Sequence, residues 1–311
     1  MYLHRKDSAW LALAPAKVNL YLNVLGQRFD GFHELETLMV PLGIYDTLCL
    51  SPLQTGDPTQ AGPIELTVGS SRSVASVIDP IPTDGRNLVI SALQLLQRRS
   101  GCEMGAQVQL YKRIPTGAGL GGGSSDAAAA LALANHAWRL HWNRQQLAEV
   151  AQNIGSDVAF FLANQPAVCR GRGEQVEPIQ GIPPLFWVVV KPPTALQTSA
   201  VYAENAECSD IGLPKVASNG LEPLLQALRR GRIGNLQPLI VNHLQSAAAR
   251  ISPWINRLAT AFGRLDFSAH QMTGSGSAYF GVCRNARQAT RLAAVLHNLD
   301  LGVVYTTRSC R

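Results

Sequence analysis

The sequence predicts a two-domain α+β fold, and three observations carry that expectation. The chain has 311 residues, about twice the roughly 150-residue prior for one domain. Its opening stretches alternate apolar and polar residues with the period of half-buried strands, whereas the second half reads mostly as helix. A Gly- and Pro-rich stretch at 171–184 separates the two, so the boundary is placed near 180, giving domains 1–180 and 181–311.

The elements follow in order along the sequence. From Lys17 to Leu25, Val18, Leu20, Leu22 and Val24 alternate with Lys17, Asn19, Tyr21 and Asn23, so Lys17 and Asn19 share one face of a strand. Residues 26–31 read as a turn into a second strand at 35–42, with further strands at 47–50 and 64–68. Leu88, Ile90, Leu93, Leu95 and Leu96 have helical spacing within 87–99, and Gly101 is the terminator. A strand at 106–114 runs into the glycine-rich 115–125. An alanine-dense helix over 126–140 follows, with Ser124, Ser125 and Asp126 as its candidate caps. A helix at 143–154 ends at Gly155, and Ser156 and Asp157 open a third apolar segment. Beyond the boundary come a strand at 185–191, helices at 221–230, 235–250 and 286–298, and strands at 278–283 and 303–307.

Composition narrows the function classes. Lys and Arg exceed Asp and Glu by 27 to 21, a net +6, yet charged residues are only 15%, well under the typical quarter. There is no basic run of five, so nucleic acid is not expected as a partner, and a mild positive field suits a small anion. Hydrophobic content of 46% excludes a disordered chain. The apolar runs, such as 185–190, fall far short of the roughly 18 residues a membrane span needs. Six scattered cysteines without a C-x-x-C pair argue against zinc or a disulfide framework. No secretory pattern is visible at the start, so a cytoplasmic protein is expected.

The segment Pro115-Thr116-Gly117-Ala118-Gly119-Leu120-Gly121-Gly122-Gly123-Ser124-Ser125 combines five glycines with a helix start. Glycine permits close backbone approach, so successive N–H groups can converge on phosphate oxygens beside the positive end of the helix dipole. Known phosphate-loop grammars fit poorly. A Walker A loop needs lysine where Gly123 stands. A dinucleotide fold wants an acid about 20 residues on, and 127–146 contains none. A protein-kinase glycine loop needs a following strand lysine and an H-R-D, and neither occurs.

The loop P-T-G-A-G-L-G-G-G-S-S-D-A resembles the ATP-phosphate motif of the GHMP kinases, the superfamily of galactokinase, homoserine kinase and mevalonate kinase. Pro15-Ala16-Lys17-Val18-Asn19-Leu20 is similar to the family's N-terminal motif, and Met272-Thr273-Gly274-Ser275-Gly276-Ser277 to its C-terminal glycine motif. Together with G-Q-R-F-D-G-F-H-E-L at 26–35 and I-G-S-D-V-A-F-F at 154–161, the match narrows to the branch acting on a cytidine diphosphate ester of methylerythritol. The resemblance implies the two-domain GHMP-kinase fold: an N-terminal domain like the second domain of ribosomal protein S5, and a C-terminal α/β sandwich. It also implies ATP as phosphate donor, Mg²⁺ as companion ion, and transfer of the γ-phosphate to the 2-hydroxyl of the substrate in non-mevalonate isoprenoid synthesis.

Roles come with the resemblance, residue by residue. Asp157 is the expected base, although a carboxylate at a helix start could equally be an N-cap. Lys17 would polarise the hydroxyl or keep Asp157 ionised, and Asn19 would hydrogen-bond substrate. Phe32 would stack on cytosine, His33 would bond the base edge, and Tyr202 would close the opposite face. Thr198, Gly274 and Ser275 are placed on the substrate side, with 274–277 approaching the phosphates from the second domain. The phosphate loop is 115–125. Metal ligands stay unassigned; Ser125 is conceivable, and no carboxylate cluster is committed to an ion. The partner is a small-molecule cytidine diphosphate, with no nucleic acid or membrane, and the chain is expected as a monomer or weak homodimer. Two alternatives remain: a homoserine- or mevalonate-type kinase, against which Phe32-His33 argues, and a non-catalytic nucleotide-binding protein, against which Lys17 and Asp157 argue.

Overall fold

A computed structural model describes residues 2–6, 8–54, 61–70, 81–210 and 220–310. The chain forms two compact units: Met1–Ala16, Ile44–Thr116 and Gly121–Asn164 in the first, and Lys17–Gly43, Gly117–Leu120 and Gln165–Arg311 in the second. Helix and sheet are mixed throughout, as expected for the α+β class.

Unit 1 holds strands β1 (Tyr2–Lys6), β4 (Ile64–Ser70) and β5 (Gly105–Lys112), the first part of β2 (Ala9–Gln27) and the last part of β3 (His33–Leu53). Their order is β1-β2-β3-β5-β4. β5 is antiparallel to β3, with Thr47 opposite Tyr111, and parallel to β4. Helix α1 (Leu88–Ser100) starts at Asn87, whose side chain accepts the Val89 N–H, and stops at Gly101 in the left-handed region, φ 66°. This is the glycine terminator read from the sequence.

Helix α2 (Gly122–Ala137) begins four residues before the expected position. The chain turns into it at Gly121, φ 70°, with no side-chain cap. Ser124, Ser125 and Asp126 therefore lie inside the first turns, a correction to their expected capping role. Its end also comes early. Asn135 pairs with both backbone groups of Trp142 at 3.0 Å, and Arg139 takes φ 55°, which breaks the helix before Leu140. Helix α3 (Arg144–Ala151) carries a capping box between Asn143 and Gln146, and α4 (Val158–Ala163) follows.

In unit 2, the first part of β3 pairs antiparallel with β6 (Ala167–Gly171), which pairs with β7 (Gln175–Pro178). A second antiparallel sheet has the order β11-β8-β10-β9, formed by β8 (Phe186–Lys191), β9 (Ala269–Met272), β10 (Tyr279–Cys283) and β11 (Val303–Arg308). Helices α5 (Thr198–Asp210), α6 (Glu222–Arg229), α7 (Gln245–Ile251), α8 (Pro253–Gly263) and α9 (Ala286–His297) complete it. Val188, Val190, Leu244, Ile255, Leu258, Phe262, Met272, Tyr279, Leu292 and Leu296 share its core.

The helix expected over 235–250 is broken. Pro238 sits in a short 3-10 turn, Gln237–Leu239, Ile240 is extended, and Asn242 bridges in parallel to Leu22. Helix begins only at Gln245, because Asn242 spends its side chain elsewhere: it accepts the Leu244 N–H at 3.0 Å and donates to the Met272 and Gly274 carbonyls at 2.8 and 2.9 Å. β1, β6, β7, β9, α5 and α8 were not anticipated from the sequence. Among the described residues no helix is long and apolar enough to cross a membrane.

Candidate active site

Lys17 and Asn19 sit on β2, but not on an open polar face. Both faces of the strand are covered here: Lys17 and Asn19 are 4% and 3% exposed, between Ala16, Val18 and Leu20 at 0%. Burial obliges each polar atom to find a partner. Lys17 Nζ donates to Asn19 Oδ1 at 2.6 Å. Asn19 Nδ2 donates to Thr37 Oγ1 at 2.9 Å, and Thr37 spends its only proton on the Tyr21 carbonyl at 2.6 Å. Thr37 can therefore only accept from Asn19, which fixes the amide so that its oxygen faces the lysine.

Two glycine motifs converge on this pair within unit 2. The Asn19 N–H donates to Thr273 Oγ1 at 3.0 Å, and that hydroxyl reaches the Gly119 carbonyl at 3.4 Å. A Cβ on Gly119 would lie 2.3 Å from the Thr273 carbonyl. One on Gly274 would lie 3.2 Å from Asn19 Oδ1 and 3.5 Å from Lys17 Nζ, at φ +56°. Only glycine fits either place. The Ala118 carbonyl accepts the Ala278 N–H at 3.1 Å and the Leu120 carbonyl accepts the Lys17 N–H at 2.9 Å. In a trans peptide the N–H points opposite its carbonyl. With the carbonyls of 118, 119 and 120 turned to these partners, the N–H groups of Gly119, Leu120 and Gly121 point away from them.

Farther along unit 2, Phe32 is 48% exposed, and the Arg172 guanidinium lies over its ring at 4.7 Å. The turn that presents it is tied by the Phe32 N–H to Asp30 at 3.1 Å and the Arg28 N–H to the Phe32 carbonyl at 2.7 Å. His33 packs on Tyr202 with ring centroids 4.8 Å apart and 35° between planes. Tyr202 thus packs on His33, the residue next to Phe32. Burial lowers the His33 pKa, favouring the neutral ring, which has one donor and one acceptor nitrogen. Thr198 and Ser275 share a 2.9 Å hydroxyl bond.

In unit 1, Ser124 and Ser125 open α2. Ser125 Oγ is buried and has no hydrogen-bond partner among the described residues. Asp157 occupies the N-cap position of α4 with φ −85° and ψ −8°, yet makes no capping bond. The alternative role as a cap is not realised. Gly155, two residues earlier, is close to the start of α2, since a Cβ built on it would lie 4.0 Å from Ser124 Oγ.

Unit 1 also contains a buried charge cluster that the sequence did not reveal. Lys112, at the end of β5, donates to Asp126 Oδ2 at 2.7 Å and to Asp46 Oδ2. Their side chains are 3%, 3% and 0% exposed. Burial pushes the Asp126 carboxyl up against the pull of Lys112. Burial alone would lower Lys112, but Asp126 and Asp46 hold it above the usual lysine range. Thr37, Thr273 and Asn242 were likewise missed. Thr273 adjoins a recognised glycine motif, whereas Thr37 and Asn242 carry no local signal.

Comparison with known proteins shows the family and the fold. The family models described as "GHMP kinases N terminal domain" and "GHMP kinases C terminal" match residues 87–171 and 224–299. A 4-diphosphocytidyl-2-C-methyl-D-erythritol kinase of Pelotomaculum thermopropionicum is 35% identical over 296 residues, 95% of this chain and 96% of that protein. One of Rhodococcus jostii is 36% identical, covering 95% and 90%. A crystal structure of a 4-(cytidine 5'-diphospho)-2C-methyl-D-erythritol kinase superposes with a TM-score of 0.75 at 32% identity, covering 97% of this chain and 99% of the other. A homoserine kinase from Cytophaga hutchinsonii, TM-score 0.70 at 16% identity, shares the fold.

Proposed function

This chain belongs to the 4-diphosphocytidyl-2-C-methyl-D-erythritol kinase family of the GHMP kinases, and from that premise we infer that it phosphorylates the 2-hydroxyl of this cytidine diphosphate ester with ATP, in the non-mevalonate route to isoprenoid precursors. The observation that carries the reading is the convergence of Lys17 and Asn19 with Gly119 and Gly274, residues of three motifs far apart in sequence, around one buried ammonium. We read residues 1–180 and 181–311 as the two domains, because the stretches matched by the family models lie on either side of 180. A cytoplasmic location suits a kinase of this family.

Phosphoryl transfer asks little covalent chemistry of a protein; positioning and charge neutralisation dominate. The N–H groups of 119–121, the start of α2 and the Gly274–Ser277 turn would hold phosphate oxygens. Asp157 would accept the proton of the 2-hydroxyl, and Lys17, oriented by Asn19, would polarise the attacking oxygen. The free second proton of the Asn19 amide suits substrate. Phe32 offers a ring face for cytosine, neutral His33 a donor and an acceptor for its edge, Tyr202 keeps His33 in place, and Thr198 and Ser275 complete the substrate side.

Mg²⁺ fits the residues present in a limited way. Among the described residues no group of three or more His, Cys, Asp or Glu could hold a metal, while the orphaned Ser125 hydroxyl is one suitable oxygen. Ser125 would thus be the protein's contribution, with phosphate oxygens and water supplying the rest. When bound, the ion neutralises charge on the β- and γ-phosphates.

The deciding experiment measures ADP release with Mg²⁺ across candidate alcohols. Turnover should require 4-diphosphocytidyl-2-C-methyl-D-erythritol; turnover with homoserine or mevalonate and none with this ester would sink the assignment. Phe32→Ala should raise KM for the ester by about tenfold, the loss of roughly one stacked base, and leave KM for ATP within about twofold. Equal effects on both would remove Phe32 from the cytosine pocket.

A further inference from the structure

The cluster of Lys112, Asp46 and Asp126 is absent from the chemistry above, yet it is the most deeply buried group of charges described. Its connections are specific. Asp46 Oδ1 accepts the backbone N–H groups of Arg113 and of Ile114, the latter at 2.9 Å. These are the first two residues after β5, where the chain leaves the sheet for the glycine loop. Asp126 sits in the first turns of α2, where the chain leaves that loop. Lys112 binds both carboxylates, so a single ammonium ties the entrance of the loop to its exit. Gly122 is shaped to allow this, because a Cβ there would lie 3.1 Å from Lys112 Nζ and 3.1 Å from the Ile114 side chain.

Stability is a weak reason for such a cluster. Desolvating three charges costs about as much as their mutual attraction returns, and an apolar replacement is commonly neutral or better. What an ion cluster supplies that an apolar patch does not is direction, since each hydrogen bond fixes an angle as well as a distance. The directed groups here are the two ends of the segment whose N–H groups must match phosphate oxygens.

We propose that Lys112, Asp46 and Asp126 are positioning residues for ATP, clasping the two ends of the 113–121 loop so that its backbone is set for the phosphates before the nucleotide arrives. The proposal rests on the reading of that loop as the phosphate cradle, and the test separates the two. Asp126→Ala opens the clasp; Asp126→Asn keeps an acceptor for Lys112 and removes the ionisable carboxyl. Gly123→Asp serves as the reference for the loop itself. Gly123 is exposed and helical, with only a Leu88 methyl 3.7 Å from its Cβ position. A carboxylate there is compatible with folding at a helix start but repels a triphosphate.

Affinity for a non-hydrolysable ATP analogue with Mg²⁺ would be measured by calorimetry on the full chain, together with both KM values and amide exchange over 115–125. Asp126→Ala is expected to weaken nucleotide binding about tenfold, the scale on which a misplaced binding element acts. Its KM for the cytidine ester should stay within about twofold. Loop exchange should quicken, and Asp126→Asn should fall between the alanine variant and the parent. Weakened binding in both Gly123→Asp and Asp126→Ala supports the clasp. Weakened binding in Gly123→Asp alone overturns it, as does an equal rise in both KM values. Undiminished binding in Gly123→Asp overturns the phosphate-cradle reading and this inference with it. If the alanine variant fails to fold, Asp126→Asn decides: parental affinity with parental loop exchange overturns the clasp, and a split KM with faster exchange supports it.

Discussion

Asp157→Asn is expected to lower kcat by about a thousandfold while the protein stays folded, the middle of the range for losing a positioned general base. The substitution is isosteric and removes only charge and basicity. A carboxylate serving as a helix cap would show itself differently, as about 1 kcal/mol of lost stability on removal to alanine with turnover largely kept. Asp157 makes no capping bond to α4, so the loss of about 1 kcal/mol that removal of a cap brings is not expected from either Asp157→Asn or Asp157→Ala. Steady-state kcat at saturating ATP and ester, paired with thermal melts, checks this. If Asp157→Asn turns over at near the parental rate, the base is elsewhere. A fall in kcat and kcat/KM by the same factor would locate the lost interaction in the transition state.

Much of this site could be read from the sequence, for identifiable reasons. Alternation along β2 placed Lys17 and Asn19 on one face, and the structure joins them by a 2.6 Å bond. Gly101 marked the end of α1 because a left-handed terminator leaves a composition signature. The same alternation suggested an accessible polar face, and both residues are instead buried. Periodicity reports which side chains share a face, not what covers it. Propensity likewise misread 235–250. Apolar and helix-forming residues there suggest one helix, but Pro238 and the long-range bonds of Asn242 to the Met272 and Gly274 carbonyls hold the chain irregular. The Lys112 cluster was illegible for a related reason: Asp46 and Lys112 are 66 positions apart, and only pairing of β3 with β5 brings them together. α2 began early because a left-handed glycine can open a helix without the side-chain cap that the sequence reading sought.

Lys17→Met tests the other half of the proposed chemistry. Methionine keeps the length and apolar stem and removes the ammonium, so kcat should fall by about a hundredfold to a thousandfold, as for loss of one preorganised donor at developing charge. Part of any effect will be structural, because Asn19 Oδ1 loses its donor in a site 3% exposed, at a cost of roughly 1–3 kcal/mol in stability. Gly274→Ala separates the two contributions. It leaves the lysine in the sequence but sets a methyl 3.2 Å from Asn19 Oδ1 on a backbone at φ +56°, crowding the acceptor that orients the ammonium without removing the charge. If Lys17 acts through its charge at a set position, Gly274→Ala should lower kcat by about tenfold, between parent and Lys17→Met. Nucleotide affinity should change little in Lys17→Met, because the loop N–H groups are untouched. A Lys17→Met enzyme that melts early yet keeps kcat would leave the lysine a structural partner of Asn19 and remove it from the reaction.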